Sequence, residues 1–277
     1  MISDVCRSRL DTWWAAALGC LAKDLSDGRT HSVAAPEPID RSNSPFHWTA
    51  FPIALVTTGK GWVLSVPERL VGEAEKTCTE RSFAELVGDG DARLCEWYER
   101  RETVEGLQRP GPLAYPILGK LTASLRVRGW SHYCHWFADP HTWPNEPVNP
   151  HVRRLTSEEP DVWTQWLAWP GNFCKPGFNQ HFEVHDAFGY ILDGRLVSVA
   201  QIQASEKMQA WEFGIDTLKE HRHRGYATAT GRAATAEIVR RGKIPWYYYD
   251  HYNTGSGRIP EKLGYRLYLE GMFSHPA

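Results

Sequence analysis

The sequence holds little that would draw it to a membrane, a nucleic acid or a disulfide framework. No apolar run approaches the roughly 18–20 residues of a membrane span, so no membrane partner is expected. The formal net charge is −2, with 31 Lys and Arg against 33 Asp and Glu. That balance gives no global pull toward nucleic acid. Six cysteines (6, 20, 78, 95, 134 and 174) are scattered without a C-x-x-C pair. Reduced thiols in a cytoplasmic protein are the expectation. The start, Met1 to Arg7, lacks a basic stretch followed by an apolar one, so no secretory signal is expected. A G-x-S-x-G elbow, a P-loop and a dinucleotide fingerprint are all missing. His132-x-Cys134-His135 has no fourth ligand at a usual spacing. Two histidines three apart on a strand also point to opposite faces, so no metal is expected there.

What is present is an ordinary globular balance, 42% hydrophobic and 23% charged over 277 residues, enough for one large or two modest domains. Thirteen tryptophans, many in the first 170 residues, suggest a large aromatic core or an aromatic-lined cleft. Residues 8–23 read as an amphipathic helix, with Leu10, Trp13, Trp14, Ala17, Leu18 and Leu21 on one side. Residues 26–45 read as an irregular connection. Phe51 to Val56 and Gly61 to Val66 form a plausible hairpin. Pro67 suits the first turn of a helix to Lys76, Thr79 can cap a second and Asp91 a third. Residues 106–119 read as a loop, and Trp130 to Phe137 as a strand. Pro140, Pro144, Pro147 and Pro150 make 139–150 a semi-rigid linker. The expected domains are therefore 1–138 and 151–277.

The second half reads as strand (Val152 to Leu155), helix capped by Ser157 through Trp169, and a loop over 171–180. Two strands then turn about Asp193-Gly194, a hairpin signal. His181, Glu183 and His185 nearby read as surface or acceptor-site groups. The organising stretch is Trp211 to Tyr265. A half-apolar strand (Trp211 to Thr217) feeds the basic turn Glu220-His221-Arg222-His223-Arg224-Gly225. An Ala-rich helix over 226–241 follows, then a strand from Pro245 to Asp250 and a last one from Tyr265 to Phe273. A helix N-terminus with free backbone N–H groups is a ready anion site, and Arg222 and Arg224 add positive charge. The turn reads as a cradle for a pyrophosphate.

Arg222-x-x-Gly225-x-Ala227 matches the Q/R-x-x-G-x-G/A signature, and Asn253-x-x-Ser256 runs into Glu261-Lys262-Leu263-Gly264-Tyr265. On these residues the chain resembles the GCN5-related N-acetyltransferases (GNAT), over about residues 152–274. Gly214-Ile215-Asp216-Thr217, Ala227-Thr228-Ala229 and Lys262-Leu263-Gly264-Tyr265 look closest to the zwittermicin A resistance-type branch. The resemblance implies an α/β (α+β) fold: a mixed, mostly antiparallel twisted sheet with helices on both faces. An α/β N-terminal domain would precede it, as a degenerate copy in several relatives. It implies direct transfer of acetyl from acetyl-CoA (coenzyme A as carrier) to a primary amine. The acceptor would be a small amine-bearing metabolite or antibiotic, in a cleft between the halves. The alternatives are a protein or peptide amine, and a non-catalytic acyl-CoA-binding regulatory module.

The same resemblance assigns roles. Backbone groups of Ile215 and Thr217 would pair with the pantetheine arm. The amides of Arg222, His223, Arg224, Gly225, Tyr226 and Ala227 would take the pyrophosphate. Asn253 and Ser256 would contact the cofactor arm, or simply cap a helix. Glu212 is the candidate base, and Asp216 its partner or the base itself. Alternation puts Glu212, Gly214 and Asp216 on one face. Relatives carry a Tyr where this chain has Pro260, which leaves the general acid open among Tyr248, Tyr252, Ser256 and water. Pro260 would be tolerable in the first turn of a short helix starting near Ser256. Trp246 to Tyr252 reads mostly as core, with Asp250 and His251 as weaker acid/base candidates.

Overall fold

The computed structural model describes residues 2–37, 43–46, 51–88, 92–100, 115, 117–144, 146–147, 149–170, 174, 176 and 182–276. Asp91, His181 and most of the loops expected at 106–119 and 171–180 lie outside the described residues. The chain divides into two compact units that interleave in sequence. The first comprises Ser3–His135, Tyr248–Thr254 and Leu267–Ala277; the second comprises Trp136–Tyr247 and Gly255–Arg266, with the first two residues of the chain.

The first unit opens with α1 (Asp4–Leu18), whose N-cap Ser3 accepts a hydrogen bond from the Cys6 N–H. Gly19, at φ 80°, ends it in a left-handed cap. The helix is thus shorter at its end than the expected 8–23, and Leu21 is exposed instead of core-facing. Leu10, Trp13, Trp14, Ala17 and Leu18 are buried as the periodicity requires. A strand missed in the polar stretch, β1 (Thr30–Ala34), pairs parallel with β3 (Trp62–Val66). The expected hairpin of β2 (Ala54–Thr57) and β3 forms, with Leu55 opposite Leu64. After the Pro67 turn comes α2 (Val71–Cys78), which Thr79 closes rather than opening the next helix. The cap of α3 (Phe83–Val87) is Ser82, in a reciprocal capping box with Glu85. Then follow α4 (Ala92–Arg100), α5 (Leu118–Thr122) and β4 (Val127–Phe137). Leu55, Leu64, Leu118, Leu121 and Trp130 share this unit's core.

The second unit runs β5 (Val152–Arg154), α6 (Pro160–Leu167), β6 (Ala187–Leu192), β7 (Arg195–Gln203) and β8 (Ala210–Thr217). It continues through α7 (Tyr226–Arg240), the first part of β9 (Ile244–Asp250) and most of α8 (Thr254–Lys262). The last strand, β10 (Arg266–Pro276), lies almost wholly in the first unit, where it pairs antiparallel with β2. Helix α6 starts at Pro160, not after Ser157, because the fixed φ of proline suits the first helical position. β5 to β8 are antiparallel, and β8 then pairs parallel with β9. Asp193 and Gly194 both take positive φ (49° and 78°), as a two-residue hairpin turn demands. Val162, Trp166 and Trp169 bury against Leu155, Leu196 and Val199 of the sheet. Helix α7 packs near the same strands through Ala233, in a cluster with Val152, Tyr190 and Val197. The fold is mixed α+β, with a mostly antiparallel sheet.

Candidate active site

The site is built where β8 and β9 part. Their parallel pairing covers only Ala210–Glu212 against Ile244–Trp246. Beyond it, β7 is the strand partner of β8 among the described residues, from Phe213 opposite Ile202 to Thr217 opposite Ser198. The Leu218 N–H donates to the Val197 carbonyl, which fixes the alternation of this ladder. Even-numbered residues of β8 therefore bond to β7, and the backbone groups of Phe213, Ile215 and Thr217 turn to the other edge. That edge presents a donor-and-acceptor row suited to an extended polar ligand. The Arg222 Nε donates to the Thr217 carbonyl at 3.1 Å, tying the basic turn to the strand end.

The turn hands over to α7 through two left-handed residues, His223 (φ 60°) and Gly225 (φ 83°). No side chain caps α7, so the first-turn amides of Tyr226, Ala227 and Thr228 lack the usual cap. A Cβ at Gly225 would meet no protein atom within 4 Å. Glycine is required there by its backbone angle, not by neighbouring protein atoms, and the space above it is open. His223, Arg224 and Gly225 are exposed, while Arg222 is half-buried. Closer to the sheet, Gly231 lets α7 approach: a Cβ there would stand 3.1 Å from both Ile215 and Leu263.

Glu212 is buried, with Trp211 and Phe213 beside it on the strand. Cross-strand pairing sets Gln203, Gln201 and Val199 opposite Glu212, Gly214 and Asp216. These six positions share the face away from Phe213 and Ile215. On this face Asp216 is committed to structure: its Oδ2 accepts the Cys174 N–H at 3.1 Å. The Trp166 indole N–H donates to the Cys174 carbonyl, so Asp216 anchors the chain below α6. Burial, with Asp216 adjacent, holds the Cys174 thiol protonated.

Gln201 is fully buried, and among the described residues neither its amide nitrogen nor its oxygen has a hydrogen-bond partner. It lines a cavity of about 400 Å³ with Arg154, Ser157, Trp163, Trp166 and His185. The His185 Nε2 lies 2.5 Å from the Phe182 carbonyl and must donate to it. His185 Nδ1 is buried and has no partner among the described residues. Glu183, by contrast, caps the turn at Ser205 and Glu206. The structure thus draws His185 to the cavity, and nothing in the sequence pattern had singled out Gln201.

Tyr247, the first residue of β9 past the last parallel pair, is buried. Its hydroxyl lies 2.7 Å from the Ser256 Oγ. Burial pushes the Tyr247 phenol up to about 12, against the Ser256 hydrogen bond, with Cys174 and Asp216 adding to the rise. Ser256 thus meets a neighbouring tyrosine that sequence reading had filed with the core. Pro260 is the seventh residue of α8, in its interior rather than its first turn. Its ring deletes the bond that residue 260 would donate to the carbonyl of residue 256. Tyr248, Tyr252 and Asn253 belong to the first unit. There the Asn253 N–H donates to the Asp250 carbonyl, and the Asp250 carboxylate accepts the Tyr252 N–H.

Residues 163–270 match the family model of GNAT acetyltransferase. No curated protein matches the sequence. Among solved structures, the chain is similar to a protein from Novosphingobium aromaticivorans DSM 12444 assigned to the GNAT family of acetyltransferases. Identity is 22%, covering 61% of this chain and 72% of that one, with a TM-score of 0.42. A GCN5-related N-acetyltransferase from Kribbella flavida is similar at 19% identity, covering 58% and 65%, with a TM-score of 0.42. A tandem GNAT protein from the clavulanic acid biosynthesis pathway is similar at 14% identity, covering 75% and 70%, with a TM-score of 0.40.

Proposed function

We propose that this chain, whose residues 163–270 match the GNAT acetyltransferase family, moves acetyl from acetyl-CoA directly to a primary amine. The observation that carries the reading is the parting of β8 from β9 beside an uncapped, glycine-led helix N-terminus. The edge at Ile215, with the Thr217 N–H beyond it, suits the amides of a pantetheine arm, while the Thr217 carbonyl is held by Arg222. The Arg222 N–H is taken by the Lys219 carbonyl, but the amides from His223 to Ala227, with Arg224 exposed nearby, suit a pyrophosphate. The cofactor supplies an activated acetyl thioester; the chain's own residues hold it, orient it and move protons.

Glu212 is the group we assign as base, acting directly or through water, because it is buried on the face that also carries Gln201 and its cavity. Asp216, engaged by Cys174, is assigned to positioning. The neutral amine would attack the acetyl carbon, Glu212 would take the proton its nitrogen sheds, and the coenzyme would leave as its thiolate. The departing sulfur would be met by the Tyr247–Ser256 hydroxyl pair, which takes the place left open by Pro260. The acceptor class is a small amine-bearing metabolite or antibiotic, as the likeness to the zwittermicin A resistance-type branch suggests. The transfer chemistry is assigned to the 151–277 part of the chain, apart from 248–254 and 267–277, which fold with the 1–138 part as its companion.

The test is coenzyme A release from acetyl-CoA, read by thiol detection, across amine antibiotics, polyamines and Lys peptides. Release with a small-molecule class is the expected result. Release only with peptides would transfer the function to protein modification. Acetyl-CoA binding without release on any amine would overturn catalysis in favour of a binding module.

A further inference from the structure

The cavity beside α6 holds groups that specify more than an amine. Gln201 is fully buried in its lining, and among the described residues its Nε2 and Oε1 both lack a partner. One buried polar atom left unpaired is costly, and here both ends of one amide are left so. His185 Nδ1 adds a second buried polar group to the same lining. The charges of the cavity are already matched, because Asp186 accepts hydrogen bonds from both Arg154 and Arg241. The Trp166 indole N–H donates to the Cys174 carbonyl, so the Trp163 and Trp166 rings supply apolar wall. We propose that this cavity recognises the acceptor through a primary carbamoyl group (–CO–NH2) paired edge to edge with Gln201. The acceptor class is then an amine that carries a carboxamide, urea or carbamate at its far end.

A primary carbamoyl group sets one N–H beside its C=O in a single plane. Facing Gln201, it donates to Oε1 and accepts from Nε2, two bonds in one ring. A secondary amide in its usual trans form points N–H and C=O in opposite directions, so it satisfies only one of the two atoms. A carboxylate only accepts, which leaves Oε1 against a negative charge. An ammonium only donates, and Asp186, engaged by two arginines, is no counter-ion for it. Water satisfies the two atoms one at a time, whereas about 400 Å³ is the size of a small-molecule pocket. The site also fixes a length. Gln201 pairs with Gly214, and Glu212 lies two residues along the same strand, on the same face. Such diagonal neighbours stand about 7–8 Å apart, the span of about six single bonds. The amine end of the proposal rests on the acetyl-transfer reading, with Glu212 as base; the carbamoyl end stands on the cavity alone.

The experiment uses the full chain. Ligand-observed NMR measures the affinity of hexanamide, N-methylhexanamide and hexanoate, none of which carries an amine. Hexanamide should bind at least about tenfold more tightly than the other two, because each of them leaves a buried atom of Gln201 unpaired. Gln201→Met, of similar shape, should remove that preference while Tm holds or rises, since the thioether leaves no buried amide unsatisfied. The comparison among probes needs no variant, so it still decides if Gln201→Met fails to fold. In parallel, coenzyme A release is followed with 6-aminohexanamide, its N-methyl amide, 6-aminohexanoate and hexylamine. The primary amide should give a kcat/KM at least about tenfold above the rest, lost in Gln201→Met. No release with any probe, beside a Gln201-dependent preference for hexanamide, would count against acetyl transfer and uphold the carbamoyl site. Equal or undetectable binding of the three amine-free probes, or a preference that survives in Gln201→Met, would overturn the site even where acetyl is transferred.

Discussion

Gly225→Ala separates backbone strain from ligand contact. Gly225 sits at φ 83° and a Cβ there would touch no protein atom within 4 Å. Its whole cost to the free protein is the left-handed penalty of an L-residue, about 1–2 kcal/mol. Gly194 is the matched control: φ 78°, equally open around the Cβ, and placed in the β6–β7 hairpin rather than in the basic turn. Both alanine variants should lose similar stability, roughly 2–8 °C in Tm at about 2–4 °C per kcal/mol. Only Gly225→Ala should weaken acetyl-CoA, because its methyl occupies space the protein leaves empty in front of the α7 amides. We expect at least about a tenfold rise in Kd, or about 1.4 kcal/mol. Calorimetric titration with acetyl-CoA and thermal melting of the two variants supply the readouts. Unchanged affinity in Gly225→Ala, at a stability loss equal to that of Gly194→Ala, would refute the pyrophosphate cradle. Unchanged stability in both would refute the left-handed geometry.

Glu212→Gln should cut turnover by about 10²–10⁴-fold, the usual worth of a general base, with acetyl-CoA affinity kept; steady-state kinetics beside titration would show it. Tyr247→Phe should slow acetyl transfer and leave acetyl-CoA binding intact, and full activity would remove the hydroxyl pair from the thiolate's path. Gly231→Leu should destabilise by about 1–3 kcal/mol or more, because the added side chain meets Ile215 and Leu263 at once; chemical denaturation measures it. Glu237 is held at about 2, below its ordinary 4.5, chiefly by the Arg240 hydrogen bonds, with Arg241 adding to them. A depressed carboxyl contributes stability that is complete above 4.5 and is lost as pH falls toward 2. The stability difference between the unaltered chain and Glu237→Gln should therefore shrink across that window in acid-denaturation curves.

The sequence by itself determined the local grammar. Asp193-Gly194 specified a two-residue turn because both positions need positive φ, and the alternation of Trp211 to Thr217 put Glu212, Gly214 and Asp216 on one face. The Gly225 turn and the Ala-rich run after it specified a helix with an open N-terminus. Local signals erred where a competing one was stronger. Gly19 stopped α1 before Leu21, and Pro160 rather than Ser157 set the start of α6. Thr30–Ala34 is polar enough to read as loop, and it becomes a strand only because β3 offers a parallel partner. What only the tertiary structure decided was which distant groups meet. Ser256 found Tyr247, Asp216 found the Cys174 amide, and Pro260 proved interior to its helix. His132 meets Glu270 and His251 only because β4, β9 and β10 bring those distant stretches together. The orphaned Gln201 amide has no sequence signature at all, because satisfaction of a buried polar group depends on every neighbour that folding brings to it.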